Sequence, residues 1–290
     1  MGSSPASRTI IFIRKYVFIM EFGCKLSPHD VRDFKLKATP AGAVLLPEEY
    51  ICDLKIQIKN QKSVSSCVAH ATSSILEHHA NGEYELSTNF FYGGQKAICG
   101  RCEGKGMYLR DACKIAANYG DMLLEDCPGN TEVPNCYSVA EEALQDTAKT
   151  TRAKEFRISK YFSCSSIDEI KQAIYNHGPV LASYKWYNTF KVDKNGKLTG
   201  KQSGDPSYHA IMIYGYTTEG FLCQNSWGKS WGKDGRFLVP YDIPVSEARG
   251  FVDLVNDINI DDIVEPKRNK ILDILYKCIN FILNLIKKKN

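Results

Sequence analysis

A cysteine sits in the stretch Gln61-Lys62-Ser63-Val64-Ser65-Ser66-Cys67-Val68-Ala69-His70-Ala71-Thr72. It follows a pair of serines and opens a run of small residues with Ala69, Ser73 and Leu76 at helical spacing, closed by Asn81-Gly82. This pattern predicts a helix that begins at the thiol and stops before the Asn-Gly pair. A helix N-terminus carries partial positive charge, so the expectation is a thiol pKa lowered toward the nucleophilic thiolate. Gln61, six residues upstream, brings a side-chain amide that a short connection can fold beside the sulfur, where it would steady an oxyanion. A nucleophile of this kind needs a base, and the base needs a group to hold it. His209 opens the apolar run Tyr208 to Tyr216, and Asn225 follows a second apolar run, Phe221 to Gln224.

Taken singly, a cysteine at the start of a helix reads as buried core, and a histidine opening an apolar strand as a hydrogen-bonded structural residue. The combination points to chemistry. Gln61, Cys67, His209-Ala210 and Asn225-Ser226-Trp227-Gly228 stand in an order and at separations that resemble the papain family of cysteine proteases, from about Leu46 to Val255. The resemblance implies an α+β fold of two lobes, a helical lobe and an antiparallel β-barrel-like lobe, with the active-site cleft between them. It implies Cys67 as nucleophile, His209 as general base and then acid, Asn225 holding the imidazole, and Gln61 with the Cys67 backbone N–H as oxyanion hole. Trp227 would shield the His209 and Asn225 pair. Gly106 would offer backbone hydrogen bonds to the substrate chain. The implied partner is a polypeptide substrate, and no metal or organic cofactor is implied. Lys62 stands where the family usually has Gly, Val64 where many members have Cys, Ser65 for Gly, Val68 for Trp and His70 for Phe. These departures suggest a divergent branch similar to short members from bacteria and large DNA viruses. Two other readings stay open: acyl transfer through the same thiol, and a catalytically silent binding module, against which the intact set of Gln61, Cys67, His209 and Asn225 argues.

The elements that must position these groups divide by composition. Apolar content of 43% and charged content of 24% over 290 residues are ordinary for a soluble globular protein, and a formal charge of +4 gives no sign of nucleic-acid binding. Eleven cysteines, an odd number in a chain of this length, match neither a dense disulfide scaffold nor a definite redox compartment. Residues 1–45 read as an N-terminal extension. Arg14-Lys15 cuts its apolar stretch in half, so no signal peptide is expected and the compartment stays open. The polar, proline-punctuated part after Glu21 is expected either to plug the cleft or to pack away from it.

Residues 46–155 read as the helical lobe. Ser87 caps one helix, and Leu109, Ala112, Cys113 and Ala116 share a face of another that Gly120 ends. Residues 156–260 turn to strands, except for a helix opened by the capping box Ser166-Ile167-Asp168-Glu169 and running to Asn176 before Gly178-Pro179. Cys99, Cys102, Cys127 and Cys136 leave zinc, disulfides and free thiols as alternatives. In 266–290, Ile271, Ile274, Leu275, Cys278, Ile282 and Leu285 fall on one face between basic ends. That is an amphipathic helix suited to packing on protein, to an anionic membrane surface or to a tail anchor, although it is short of a bilayer core and interrupted by charges. The sequence leaves the oligomeric state open.

Overall fold

The helix that starts at the thiol is buried along most of its length. In the computed structural model, which describes residues 9–13, 16–20, 22–30, 46–100, 106–129 and 135–254, α1 spans Cys67–His79 and is buried at every position from Cys67 to Glu77. A helix enclosed on all sides has no room for a polar face of long side chains. The small residues Ala69, Ala71, Ser73 and Ser74 meet that condition. Beyond the helix, Asn81 and Gly82 take φ of 57° and 70°, and the Gly82 N–H bonds the Glu77 carbonyl at 2.8 Å, which turns the chain away as the Asn-Gly pair predicts.

Ahead of α1 lie β1 (Thr9–Ile13), β2 (Tyr16–Met20), β3 (Cys24–Lys25) and β4 (Tyr50–Ile51). β1 and β2 pair antiparallel, with Arg14-Lys15 between them. The charged pair that interrupts the apolar stretch thus separates two strands. After α1 come α2 (Thr88–Cys99), β5 (Met107–Tyr108), α3 (Leu109–Asn118), α4 (Asn135–Gln145) and α5 (Thr147–Ala153). Ser87 caps α2 as expected, its hydroxyl accepting the Phe90 N–H at 3.1 Å. The predicted face of α3, Leu109, Ala112, Cys113 and Ala116, is fully buried.

The second half holds β6 (Ile158–Cys164), α6 (Ile167–His177), β7 (Val180–Trp186), β8 (Lys191–Val192), β9 (Leu198–Thr199), β10 (Ser207–Tyr216), β11 (Gly220–Gln224), β12 (Arg236–Pro240) and β13 (Val245–Leu254). A sheet in the order β12-β11-β10-β7-β13-β6, with β4 added to β10, is antiparallel throughout. α6 opens as the capping box predicts, Ser166 Oγ accepting the Glu169 N–H at 3.1 Å, and it ends at Gly178 with φ 90°. One core joins α1, α2 and α3 to residues of β7 and β10; the other lies within the sheet under α6. The fold is α+β, helices beside a large antiparallel sheet.

The four-cysteine question is answered only in part. Cys127 accepts an N–H from Asn89 at 3.7 Å, whereas Cys102 and the side chain of Cys136 lie outside the described residues. The C-terminal stretch 266–290 lies outside them as well.

Candidate active site

Cys67 is the first residue of α1 and is 0% exposed. The N–H groups of Cys67 and Val68, from the first turn of the helix, point at its sulfur, joined by those of Ala210 and Gly23. All four favour the anion, yet burial outweighs them and raises the thiol pKa. This reverses the expectation from the helix terminus alone. The cause is enclosure of the sulfur, which has backbone groups of Gly23 and Ala210 around it as well as the helix terminus.

His209, third residue of β10 and also 0% exposed, presents Nε2 to Asn225 Oδ1 at 2.8 Å. The same Oδ1 accepts the backbone N–H of Ser226 at 2.8 Å. A backbone N–H can only donate, so the Asn225 atom facing both groups is the oxygen, and His209 Nε2 carries the proton. In the neutral ring, Nδ1 then keeps the lone pair, and it has no hydrogen-bond partner. Ala210, next in the chain, sends its N–H to the Cys67 sulfur, so the nucleophile candidate and the base candidate meet at adjacent backbone units. Burial lowers the His209 pKa to about 4, with the Asn225 contact opposing the shift.

Trp227 stacks on the imidazole, ring centroids 4.6 Å apart and planes 25° apart. Trp186 closes on both, its centroid 5.2 Å from His209 and 5.2 Å from Trp227. Trp231 stands 4.9 Å beyond Trp227, so all three tryptophans of the chain gather here. Trp186 is not among the residues that the sequence singles out. The available signal is the scarcity of tryptophan itself, since the other two flank the Asn225 turn.

Gln61 is clasped to that same turn. Its N–H bonds the Ser226 carbonyl at 2.8 Å, its Oε1 accepts the Ser226 hydroxyl at 2.6 Å, and its Nε2 donates to Val64 O at 2.8 Å. Lys62, in the family's glycine position, takes φ 51°, a conformation that costs a side-chain-bearing residue strain. Its N–H bonds Asn60 Oδ1 at 2.9 Å.

Residues 22–30 run through the cleft. Phe22 lies against His209 and Trp227 at 5.5 and 5.9 Å between ring centroids. Gly23 passes so close to the Ser65 carbonyl that a Cβ would stand 1.8 Å from its oxygen. β3 then pairs parallel with β5, Cys24 opposite Met107, and the Met107 N–H donates to Gly23 O at 2.7 Å. Gly106 sends its own N–H to Tyr92 Oη at 3.4 Å. Gly106 also lets the strap approach, because a Cβ there would meet Gly23 O at 2.3 Å. Cys24 Sγ lies 3.2 Å from Ser183 Oγ. Ser27 ties the segment down on both sides: its N–H goes to Glu247 Oε2 at 2.9 Å, and its hydroxyl accepts the Arg110 N–H at 3.1 Å.

This arrangement has known counterparts. Residues 52–245 match the model of the papain family of cysteine proteases. Cathepsin B-like cysteine proteinase 3 of Caenorhabditis elegans is 29% identical over 219 residues, 65% of this chain and 58% of that protein. Cathepsin B-like cysteine proteinase 4 of the same organism is 28% identical over 279 residues, 81% of each chain. Among solved structures, xylellain, a cysteine protease from Xylella fastidiosa, superposes with a TM-score of 0.69 at 21% identity, over 80% of this chain and 96% of that one. The family match extends over more than half of the chain and takes in the thiol helix, the histidine strand and the asparagine turn. The chain belongs to the papain family of cysteine proteases.

Proposed function

We propose that the chain is a cysteine endopeptidase and that residues 22–30 hold it latent. The observation that carries the activity is Asn225 Oδ1 accepting both the Ser226 N–H and His209 Nε2–H, which leaves the Nδ1 lone pair as base. In this reading Nδ1 takes the Cys67 proton, and the thiolate attacks a peptide carbonyl. The oxyanion is held by the Cys67 N–H and the second amide proton of Gln61. The imidazolium gives its proton to the leaving amine, and water then releases the acyl group by the same route reversed. The strap supports latency in two ways: its Gly23 N–H is directed at the Cys67 sulfur, and Phe22 lies against His209 and Trp227, where a substrate would have to enter. The stretch 266–290 is read as a contact helix for protein or anionic lipid, to be tested by sedimentation with anionic vesicles.

The test is the rate of covalent labelling by an epoxysuccinyl inhibitor, followed by intact mass. A single adduct should form, be absent in Cys67→Ala and be slowed in His209→Ala. Gly23→Ala, whose methyl group has no space beside Ser65, should lift the strap and label faster than native protein. A truncated chain that begins near Ala43 should behave like Gly23→Ala. Labelling that survives Cys67→Ala sinks the activity, and equal rates for native protein and both strap variants sink the latency.

A further inference from the structure

The strap also reports what the cleft accepts. His209 must protonate the departing amine, so the residue that begins the leaving chain lies against the imidazole. Phe22 fills that place with its ring, although the strap threads the cleft in the direction opposite to a substrate: Gly23, beside the sulfur, follows Phe22, whereas the residue whose carbonyl is attacked precedes the one that leaves. The Phe22 ring meets His209 edge-on at 5.5 Å and 75°, Trp227 at 5.9 Å and 63°, and Trp186 at 6.4 Å. Two of these walls belong to the catalytic arrangement itself. The third, Trp186, is contributed by the end of β7, where the strand could equally have placed a small residue. It is 3% exposed beneath Phe22 and is braced from behind by Phe190 at 5.7 Å and Phe237 at 5.9 Å. A wall held in this way keeps its position when its occupant leaves, and it then offers aromatic faces and edges to whatever enters. Aromatic side chains gain from such contacts beyond the area they bury.

We infer that Trp186 sets specificity on the leaving side of the scissile bond, and that the preferred substrates are polypeptides with an aromatic residue immediately after the bond cut. The inference rests on the endopeptidase reading. Glu247, the carboxylate that holds the strap, is reached through Ser27 and not through Phe22, so it does not bring a basic side chain to this position. A lysine there would set a second positive charge beside the imidazolium that must form at His209, and like-charge repulsion opposes it.

Digestion of a mixed peptide library by full-length Gly23→Ala protein, with native protein run alongside, tests this. Mass spectrometry identifies the residue that follows each cut. Paired peptides differing only at that residue then give kcat/KM. Phenylalanine should exceed alanine by roughly tenfold, the equivalent of two or three ring contacts. Trp186→Leu should abolish most of that ratio by slowing the aromatic peptide selectively, and Trp186→Phe should keep most of it. Because the readout is a ratio within one protein, a variant that is merely less active still reports. A flat distribution at this position, or an aromatic preference that survives Trp186→Leu, overturns the inference while leaving the endopeptidase reading standing. Absence of any cut overturns both.

Discussion

At the scale of the residue, the site separates groups that act on the substrate from groups that hold them, and the two kinds fail differently. Gln61 joins Ser226 to Val64 through its side chain and is the candidate oxyanion donor. Opening an epoxide creates no tetrahedral oxyanion at a carbonyl, whereas cutting a peptide does. Gln61→Ala should therefore lower kcat for peptides by about 10²–10³-fold while inhibitor labelling of Cys67 falls far less. Equal losses in both would make Gln61 a structural clasp and nothing more. Asn225→Ala removes the acceptor that fixes the proton on His209 Nε2, and it frees the ring to turn or change tautomer. Both reactions need the base, so both should slow, on the order of 10²-fold or more. Asn225→Asp keeps the acceptor and should recover much of the labelling rate. Its added negative charge would also shift the labelling profile toward higher pH by favouring imidazolium. A variant series in which Asn225→Ala labels as fast as native protein would remove Asn225 from the proposed mechanism.

At the scale of the element, what the sequence discloses depends on whether the signal is local. α1, α2, α3 and α6 are readable because caps, stops and periodicity lie within each segment, and Gln61, Cys67, His209 and Asn225 because each stands in a short motif of fixed order. The strap is different. β3 is only two residues long, and its path is set by the Ser65 carbonyl, the Met107 N–H and Glu247, which are far away in the chain. No periodicity can announce such a path, and the sequence leaves plugging the cleft and packing away from it as equal alternatives. Trp186 is hidden for the same reason, since its importance comes from rings contributed by β10, the Asn225 turn and residue 22. The expected low thiol pKa is sound for an open helix terminus and fails where the sulfur is fully buried. Where the signal is local, the energetics are local too. Ser166→Ala removes the cap at the start of α6, and the cost should be about 1 kcal/mol, or a fall of roughly 2–4 °C in Tm. α6 lies against β13, β10 and β6 and contributes none of the candidate catalytic groups, so labelling of Cys67 should keep its native rate at temperatures where the variant is folded. A Tm unchanged by the substitution would mean that the Ser166 cap contributes nothing to the stability of α6.

At the scale of the whole molecule, α1 links two polar sites of opposite character. Its first residue is Cys67, and its last two, His78 and His79, lie about 18 Å away along the helix axis, in an open cleft with Asp53, His177 and Asp253. Burial and the neighbouring His78 and His177 lower the pKa of His79 to about 4, against the pull of Asp253, whose exposed carboxylate stands 4.0 Å from Nδ1. Its Nε2 is buried with no hydrogen-bond partner. An unfolded histidine takes up its proton near pH 6.5, whereas His79 in the fold does so only near pH 4. Between those values the unfolded state binds the extra proton, so stability rises with pH in this window. The contribution is present in full above pH 6.5 and is lost as pH falls toward 4. A depression of this size corresponds to up to about 3 kcal/mol for one residue. Buried carboxyls such as Asp121, whose pKa burial raises, act in the opposite direction, so the slope of the native protein alone does not isolate His79. The difference between native protein and His79→Gln does. Urea unfolding at pH 7 should find the variant no more stable than native protein, since glutamine at best replaces neutral packing. Repeated at about pH 4.5, the comparison should move in favour of the variant by about 1–3 kcal/mol, because glutamine has no proton to refuse. A difference that stays constant across that range would show that His79 protonates equally in both states. Any acid destabilisation through histidine would then rest on His209 and His70, whose burial lowers their pKa to about 4 as well, and on His78, whose pKa burial also lowers.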